Sequence, residues 1–289
     1  MNLHFYKIFK ISFWVGIILI SVNIFGLFIP LGNDAIYTEK AVLFNNDISQ
    51  DPNDINLLKK VLSINEVENR KDYVAEVVKA VNKNIAHYWR DKGRYKYSLT
   101  IPFYENYLLW LAQYFYPKVY KKYEFCDYQK AIERKVGLCS QHSIIICGIL
   151  EDKKIPCKIV GLSGHVVAEA EVGKETWWIC DGDYGVVIPY SIQEIERKPE
   201  LIIPYYRNKL IYSNYAKASE KNNLITLSKM VKIYGKEGNK ITDGVTGYCS
   251  KKKYFIEKIS YYLIWAIPII LMCPYSYKKT KELLTSRSS

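Results

Sequence analysis

Histidine is scarce in this chain of 289 residues, with four copies at His4, His87, His142 and His165. Imidazole chemistry is confined to those positions. The seven cysteines, at 126, 139, 147, 157, 180, 249 and 273, include no close-spaced pairs of the zinc-ribbon kind, which excludes a small fold stapled by metal. Repeats and low-complexity tracts are absent, which excludes a solenoid. No acidic cluster of the calcium-binding type occurs, and we expect neither a metal nor an organic cofactor. After the first apolar run no small-x-small cleavage site follows, because Leu27-Phe28-Ile29-Pro30-Leu31 is too bulky, so an uncleaved anchor is expected rather than a removed signal peptide.

Basic residues are abundant. Lysine plus arginine outnumber aspartate plus glutamate 41 to 29, a formal charge of +12, which points to nucleic acid or a membrane surface. Two apolar runs favour the membrane. Residues 11–30 are uncharged and reach the ~20 residues that cross a bilayer, with Lys7 and Lys10 ahead of them. Residues 259–275 form a second run, kinked by Pro268 and followed by Lys278, Lys279, Lys281 and Arg287. That basic tail marks the cytoplasmic side, so both termini are expected there and residues 33–258 outside. Lys251-Lys252-Lys253 and Lys258 run against this topology. The 26 tyrosines are dispersed at core spacing rather than forming a stacking surface, and no nucleic-acid partner is expected.

Between the anchor and the centre of the chain the pattern is helical, with Val74, Val77, Val78, Val81 and Ile85 at helical spacing. Arg90-Asp91-Lys92-Gly93-Arg94 reads as a charged turn, and residues 104–115 as an apolar helix stopped before Pro117. Asp127 is an N-cap for a short helix that Gly137 ends. Ser191 and Glu194 have the spacing of a capping box. Residues 206–250 are polar and read as peripheral helices or a loop. Cys147, Cys157 and Cys180 sit in apolar patterns and read as packing residues. Only Cys126 and Cys249 look able to pair, and a disulfide framework is not expected.

The chemistry concentrates in three fragments. Gly137-Leu138-Cys139-Ser140-Gln141-His142 opens an apolar helix with a cysteine at its mouth, where the partial positive charge of a helix N-terminus favours a thiolate. Gly164-His165-Val166-Val167 starts a strand with a histidine. Trp177-Trp178-Ile179-Cys180-Asp181 ends the next strand with an aspartate. Cysteine, histidine and carboxylate are what a thiol nucleophile, its base and the group orienting that base require.

These fragments, with Ile155-Pro156-Cys157-Lys158-Ile159-Val160-Gly161 and Asp183-Tyr184-Gly185-Val186, resemble the transglutaminase-like superfamily, a papain-like cysteine fold. The resemblance covers roughly residues 127–189. It implies an α+β core in which a nucleophile helix packs on an antiparallel sheet, with Cys139 as nucleophile, His165 as base and Asp181 as orienting carboxylate. It implies attack on amide bonds of a protein or peptide through an acyl-thioester, with hydrolysis preferred. The family also holds inactive structural members, so a tethered binding module is the alternative. A papain-type glutamine six residues before the nucleophile is missing; that position is Glu133. Asn106, Trp110 and Gln113 are the upstream candidates for a side-chain oxyanion donor.

The expected organisation is an anchor over 1–32, a helical approach over 33–126 and the core over 127–205. A peripheral region over 206–258, a second membrane helix over 259–277 and a basic tail over 278–289 complete the chain.

Strand register tests the triad. A two-residue loop at 173–174 without a bulge puts Asp181 and His165 on opposite faces of the sheet. A three-residue loop at 172–174 sets them directly opposite each other. A loop at 173–175 pairs His165 with Asp183 and leaves Asp181 diagonal. Asp183 is the second choice of carboxylate and otherwise reads as a turn residue. His142 is the rival base, or half of a metal site with Cys139 and one of Cys157, His165 or Cys180, but it is best read as packing beside the cleft or touching substrate. His87 reads as a half-buried helix residue, and His4 as part of the leader.

Overall fold

The computed structural model describes residues 3–37, 52–87, 93–212, 227–236 and 238–287; the expected turn residues Arg90, Asp91 and Lys92 lie outside these. The fold is α+β, with one five-stranded antiparallel sheet. The chain forms two compact units. One comprises residues 1–31, 100–123 and 255–289, the other residues 32–99 and 124–254. The region 33–126 is therefore not one piece, since residues 100–123 belong with the two terminal helices. The unit that holds the sheet also extends well beyond 127–205.

The helical unit contains α1 (Leu3–Gly26), α4 (Tyr107–Phe115), α5 (Pro117–Tyr120) and most of α12 (Lys251–Arg287). Both α1 and α12 are long and apolar enough to cross a membrane. They run antiparallel: Asn23 Nδ2 donates to Ile264 O at 2.6 Å and Ser12 Oγ to Leu271 O at 2.5 Å. The α12 helix is longer than the expected 259–277 and continues through both prolines. Pro268 has no N–H to give Ile264 O, one turn back. That carbonyl is not left bare, because Asn23 Nδ2 and Tyr107 O–H (3.1 Å) both donate to it. Side chains from α1 and α4 thereby replace the backbone bond that proline removes.

In the other unit the sheet has the order β6-β5-β4-β3-β7. Its strands are β3 (Cys157–Leu162), β4 (His165–Gly173), β5 (Thr176–Asp181), β6 (Val186–Ile188) and β7 (Lys240–Asp243). Residues 206–250 were expected to be peripheral, yet β7 completes an edge of the sheet. Among the described residues the other α-helices are α2 (Pro52–Ser63), α3 (Arg70–Asn84), α6 (Tyr128–Arg134), α7 (Cys139–Asp152), α8 (Ile192–Arg197), α9 (Ile203–Tyr212), α10 (Leu227–Tyr234) and α11 (Gly244–Tyr248). In α7 every residue from Ser140 to Leu150 is buried, leaving its N-terminal Cys139 partly exposed. The expected caps are present. Asp127 accepts from the N–H groups of Gln129 and Lys130, and Ser191 with Glu194 closes a capping box.

Two disulfides, Cys126–Cys249 and Cys147–Cys157, correct the expectation of a chain without a disulfide framework. Cys147 and Cys157 look like small hydrophobes because each sits in an apolar pattern. The helix stop before Pro156 turns the chain back, bringing their Cα atoms within 5.4 Å. The bond ties the middle of α7 to the start of β3.

The β4–β5 hairpin decides the register. Gly173 pairs with Thr176 across a two-residue turn, but from Glu171–Trp177 onward the register is shifted by one residue. Val172 is the bulge residue. The shifted register continues as Ala168–Cys180, which sets Asp181 against Val167, on the same face of β4 as His165. Asp181 is thus diagonal to His165, not directly opposite as a loop at 172–174 would place it. Without the bulge, Asp181 would fall opposite Ala168 and point to the other face.

Candidate active site

Cys139 is presented by a short, fully tied approach. Lys135 ends α6 in the left-handed conformation (φ 63°). The next residues form β2 (Val136–Gly137), which pairs in parallel with β1 (Ala86–His87). Gly137 therefore does not supply the sharp turn expected of it. It is small because a Cβ there would lie 2.4 Å from the Gln141 side chain. The Gln141 amide is wholly used: its Oε1 accepts from Phe125 N–H and from Arg134, and its Nε2 donates to Phe125 O. Buried Arg134 also donates to Val136 O at 3.0 Å.

The structure brings the three predicted residues together. His165 Nε2 lies 2.7 Å from Asp181 Oδ2. That leaves Nδ1 of the same ring for Cys139, whose sulfur lies within 4.8 Å of the imidazole. Asp181 is completely buried and accepts four hydrogen bonds. Oδ2 takes His165 and the Tyr206 hydroxyl (2.5 Å); Oδ1 takes the backbone N–H groups of Asp183 (3.0 Å) and Tyr184 (3.3 Å). Tyr206 in turn shares a 2.8 Å hydrogen bond with Tyr234. Burial, followed by the Asp181 charge, holds the Tyr206 phenol well above its ordinary range, so it stays a donor. For His165, burial opposes the charge. The Asp181 charge, its hydrogen bond and the contact to Cys139 outweigh it, and the imidazole is held well above its ordinary value.

Asp183, the second choice of carboxylate, also faces two imidazoles, His87 and His142, that the sequence did not place beside it. Its buried carboxylate is approached by three imidazoles: His87 Nδ1 at 2.7 Å, His142 Nδ1 at 3.2 Å and His165 Nδ1 at 3.8 Å. Burial would raise this carboxyl, but His87, His142 and His165 more than reverse that and hold it well below the usual carboxylate range. His87 is on β1 and buried, not half-buried on a helix. His142 is buried behind Asp183, its Nδ1 2.9 Å from Leu138 O and its Nε2 3.0 Å from Ile85 O. Both ring nitrogens are thus occupied by backbone carbonyls. His142 is thus placed to support Asp183 rather than to serve as a base for Cys139.

Two groups of side chains converge closely enough to surround an ion: His87, His142 and Asp183, and Cys139, His165 and Asp183. In the first, both His142 nitrogens already face backbone carbonyl oxygens. The metal set with Cys157 fails because that sulfur is in a disulfide.

The loop carrying both aspartates is held from α3. Buried Asn82 Nδ2 donates to Gly182 O (3.0 Å) and Asp183 O (2.8 Å). Gly185 adopts φ +60° and packs so closely on this asparagine that a Cβ would lie 2.7 Å from its Oδ1. Two of the three expected oxyanion candidates have other partners: Asn106 caps α4 and donates to Ser260, while Gln113 donates to Trp110 O. Beside Cys139, the Ser140 hydroxyl donates to Glu124.

Tyr206→Phe removes one hydrogen bond to a charged carboxylate, worth about 1.5–3 kcal/mol. Thermal melting of the full chain in detergent should fall accordingly, with helix content unchanged. An unaltered melting temperature would show that Asp181 does not depend on this hydroxyl.

Comparison with protein-family models, with curated proteins and with solved structures gives no match to this chain.

Proposed function

We propose that the chain is a membrane-anchored cysteine enzyme of the transglutaminase-like, papain-like kind, acting on amide bonds of proteins or peptides. The observation that carries this reading is the His165–Asp181 contact of 2.7 Å beside a Cys139 at the partly exposed mouth of an otherwise buried helix. The His165 Nε2–H is held by Asp181, so Nδ1 exchanges the proton with the sulfur. The Cys139 thiolate attacks the amide carbonyl carbon, and the Cys139 N–H at the start of α7 faces the developing oxyanion. As the C–N bond breaks, His165 Nδ1 gives its proton to the leaving amine, and an acyl-thioester remains. Water then attacks that carbonyl, passes a proton to Nδ1, and the sulfur leaves with the acid released.

The two apolar helices are the spans, with both termini in the cytoplasm and the sheet-bearing unit outside. Support comes from the basic tail and from two disulfides, which persist in oxidising compartments. A second reading keeps the fold without turnover, as a tethered binding module. It draws on Glu133 in place of an upstream glutamine and on Gln141 and Ser140 being committed to other partners.

The test is acid-quenched intact mass of the full chain in detergent after incubation with a peptide mixture. An acyl adduct on Cys139, with peptide cleavage that Cys139→Ala abolishes, is expected. Alkylation of Cys139 no faster than that of an ordinary thiol, with neither adduct nor cleavage, would favour the binding module.

A further inference from the structure

We infer that α4 and α5 form a foot that lies in the headgroup boundary of an anionic bilayer, with Leu111, Tyr114, Phe115 and Tyr116 inserted. The inference rests on the reading of α1 and α12 as spans. In α4, Tyr107, Leu109 and Gln113 are buried against the unit. The opposite side is apolar yet open: Tyr114 is 63 % exposed, Phe115 70 % and Tyr116 67 %, with Leu111 at 47 %. Leu111, Tyr114 and Phe115 stand at i, i+3 and i+4 and so form one stripe. An apolar aromatic stripe of this kind needs a cover.

Three ties fix the depth of that stripe. Asn106 Nδ2 donates to Ser260 Oγ at 2.9 Å, and Tyr107 O–H to Ile264 O at 3.1 Å. At the C-terminal end of α1, Gly26 packs on the Tyr104 backbone so tightly that a Cβ would lie 2.0 Å from Tyr104 O. The foot is therefore bound to the last residue of α1 and to the first turns of the expected span in α12. These are the ends of the spans remote from the basic tail. Aromatic rings with an apolar body and a polar edge favour that level of a bilayer. Lys118 and Lys121, exposed on the same short segment, add the positive charge that suits anionic headgroups.

Depth-resolved spin labelling tests this. The full chain, carrying Cys139→Ser and Cys273→Ser, is reconstituted in 3:1 phosphatidylcholine–phosphatidylglycerol vesicles with a nitroxide at Tyr114→Cys, Ile18→Cys or Lys174→Cys. Collisions with oxygen and with a water-soluble nickel chelate are compared. The expected result is a deep Ile18 label, a fully aqueous Lys174 label and a shallow, oxygen-favoured Tyr114 label between them. A Tyr114 label as open to nickel as Lys174, with Ile18 still deep, overturns the foot and leaves the spans standing. That face would then be available to a second copy or a protein partner. Protection of Tyr114 from both reagents means protein covers it and overturns the inference too. If Ile18 is itself aqueous, the spanning reading fails and the foot fails with it.

Discussion

Replacing His165 with alanine should change the pH dependence of Cys139 alkylation from nearly flat between pH 6 and 8 to a climb of about tenfold per pH unit up to ~8.5, the range of a free thiol. Against the opposing effect of burial, the His165 ring is held well above its ordinary value by Asp181 and by the neighbouring Cys139. In the proposed chemistry this protonated ring is the partner of a Cys139 thiolate, and the supply of nucleophile then stops depending on pH. Slope is the proper readout because an ion-paired thiolate is intrinsically less nucleophilic than a free one, with a Brønsted coefficient of about 0.4–0.5. Absolute rates near pH 7 therefore converge while the slopes do not. Asp181→Asn should shift the profile the same way by a smaller amount. A wild-type chain whose rate already climbs tenfold per unit would leave the proposed ion pair without support.

Asp183→Asn should destabilise the fold by about 3–5 kcal/mol, the cost of removing one partner from a buried ion pair. This exceeds the Tyr206→Phe effect because three imidazoles approach the carboxylate being neutralised. The pH dependence has a definite sign. Asp183 is held below its ordinary value when folded, so its contribution is complete above about pH 4 and is lost as pH falls through the depressed folded value. His165 is held above its ordinary value, so its contribution is complete below about pH 6.5 and is lost as pH rises through the raised folded value. The two overlap between about pH 4 and 6.5, where the wild type should melt highest. Melting of the full chain and of Asp183→Asn in detergent from pH 3 to 9 checks both. The difference between them should be constant above about pH 5 and shrink below 4. A difference undiminished at pH 3 would mean that Asp183 is not acting as a buried anion.

What the sequence made legible was local. A cysteine after a glycine at the mouth of an apolar run, a histidine opening a strand and an aspartate closing one are visible within short windows. The caps at Asp127 and Ser191 are equally local. What escaped depends on contacts between residues far apart in the chain. Asp183 reads as a turn residue until β1 brings His87 beside it and α7 brings His142. Asn82 looks like one more polar position in a helix, though it holds the loop of both aspartates across a separation of 100 residues. Tyr206 lies in a polar stretch whose pattern says nothing of a hydrogen bond to Asp181. The Cys147–Cys157 disulfide was hidden because an oxidised buried cysteine and a packed one occupy the same apolar pattern. Register remained open among three loops because Gly173, Lys174 and Glu175 suit more than one turn.

The bulge at Val172 also makes the hairpin tip a matter of odd and even. Side chains alternate along a strand, so with the two-residue turn and the bulge both kept, one residue added to or taken from the tip carries Asp181 to the far side of the sheet from His165. Two residues added together bring it back. A surface turn that touches neither side chain is thus free to vary in sequence and to grow by pairs, but not by a single residue. The site counts the residues of a loop it never meets.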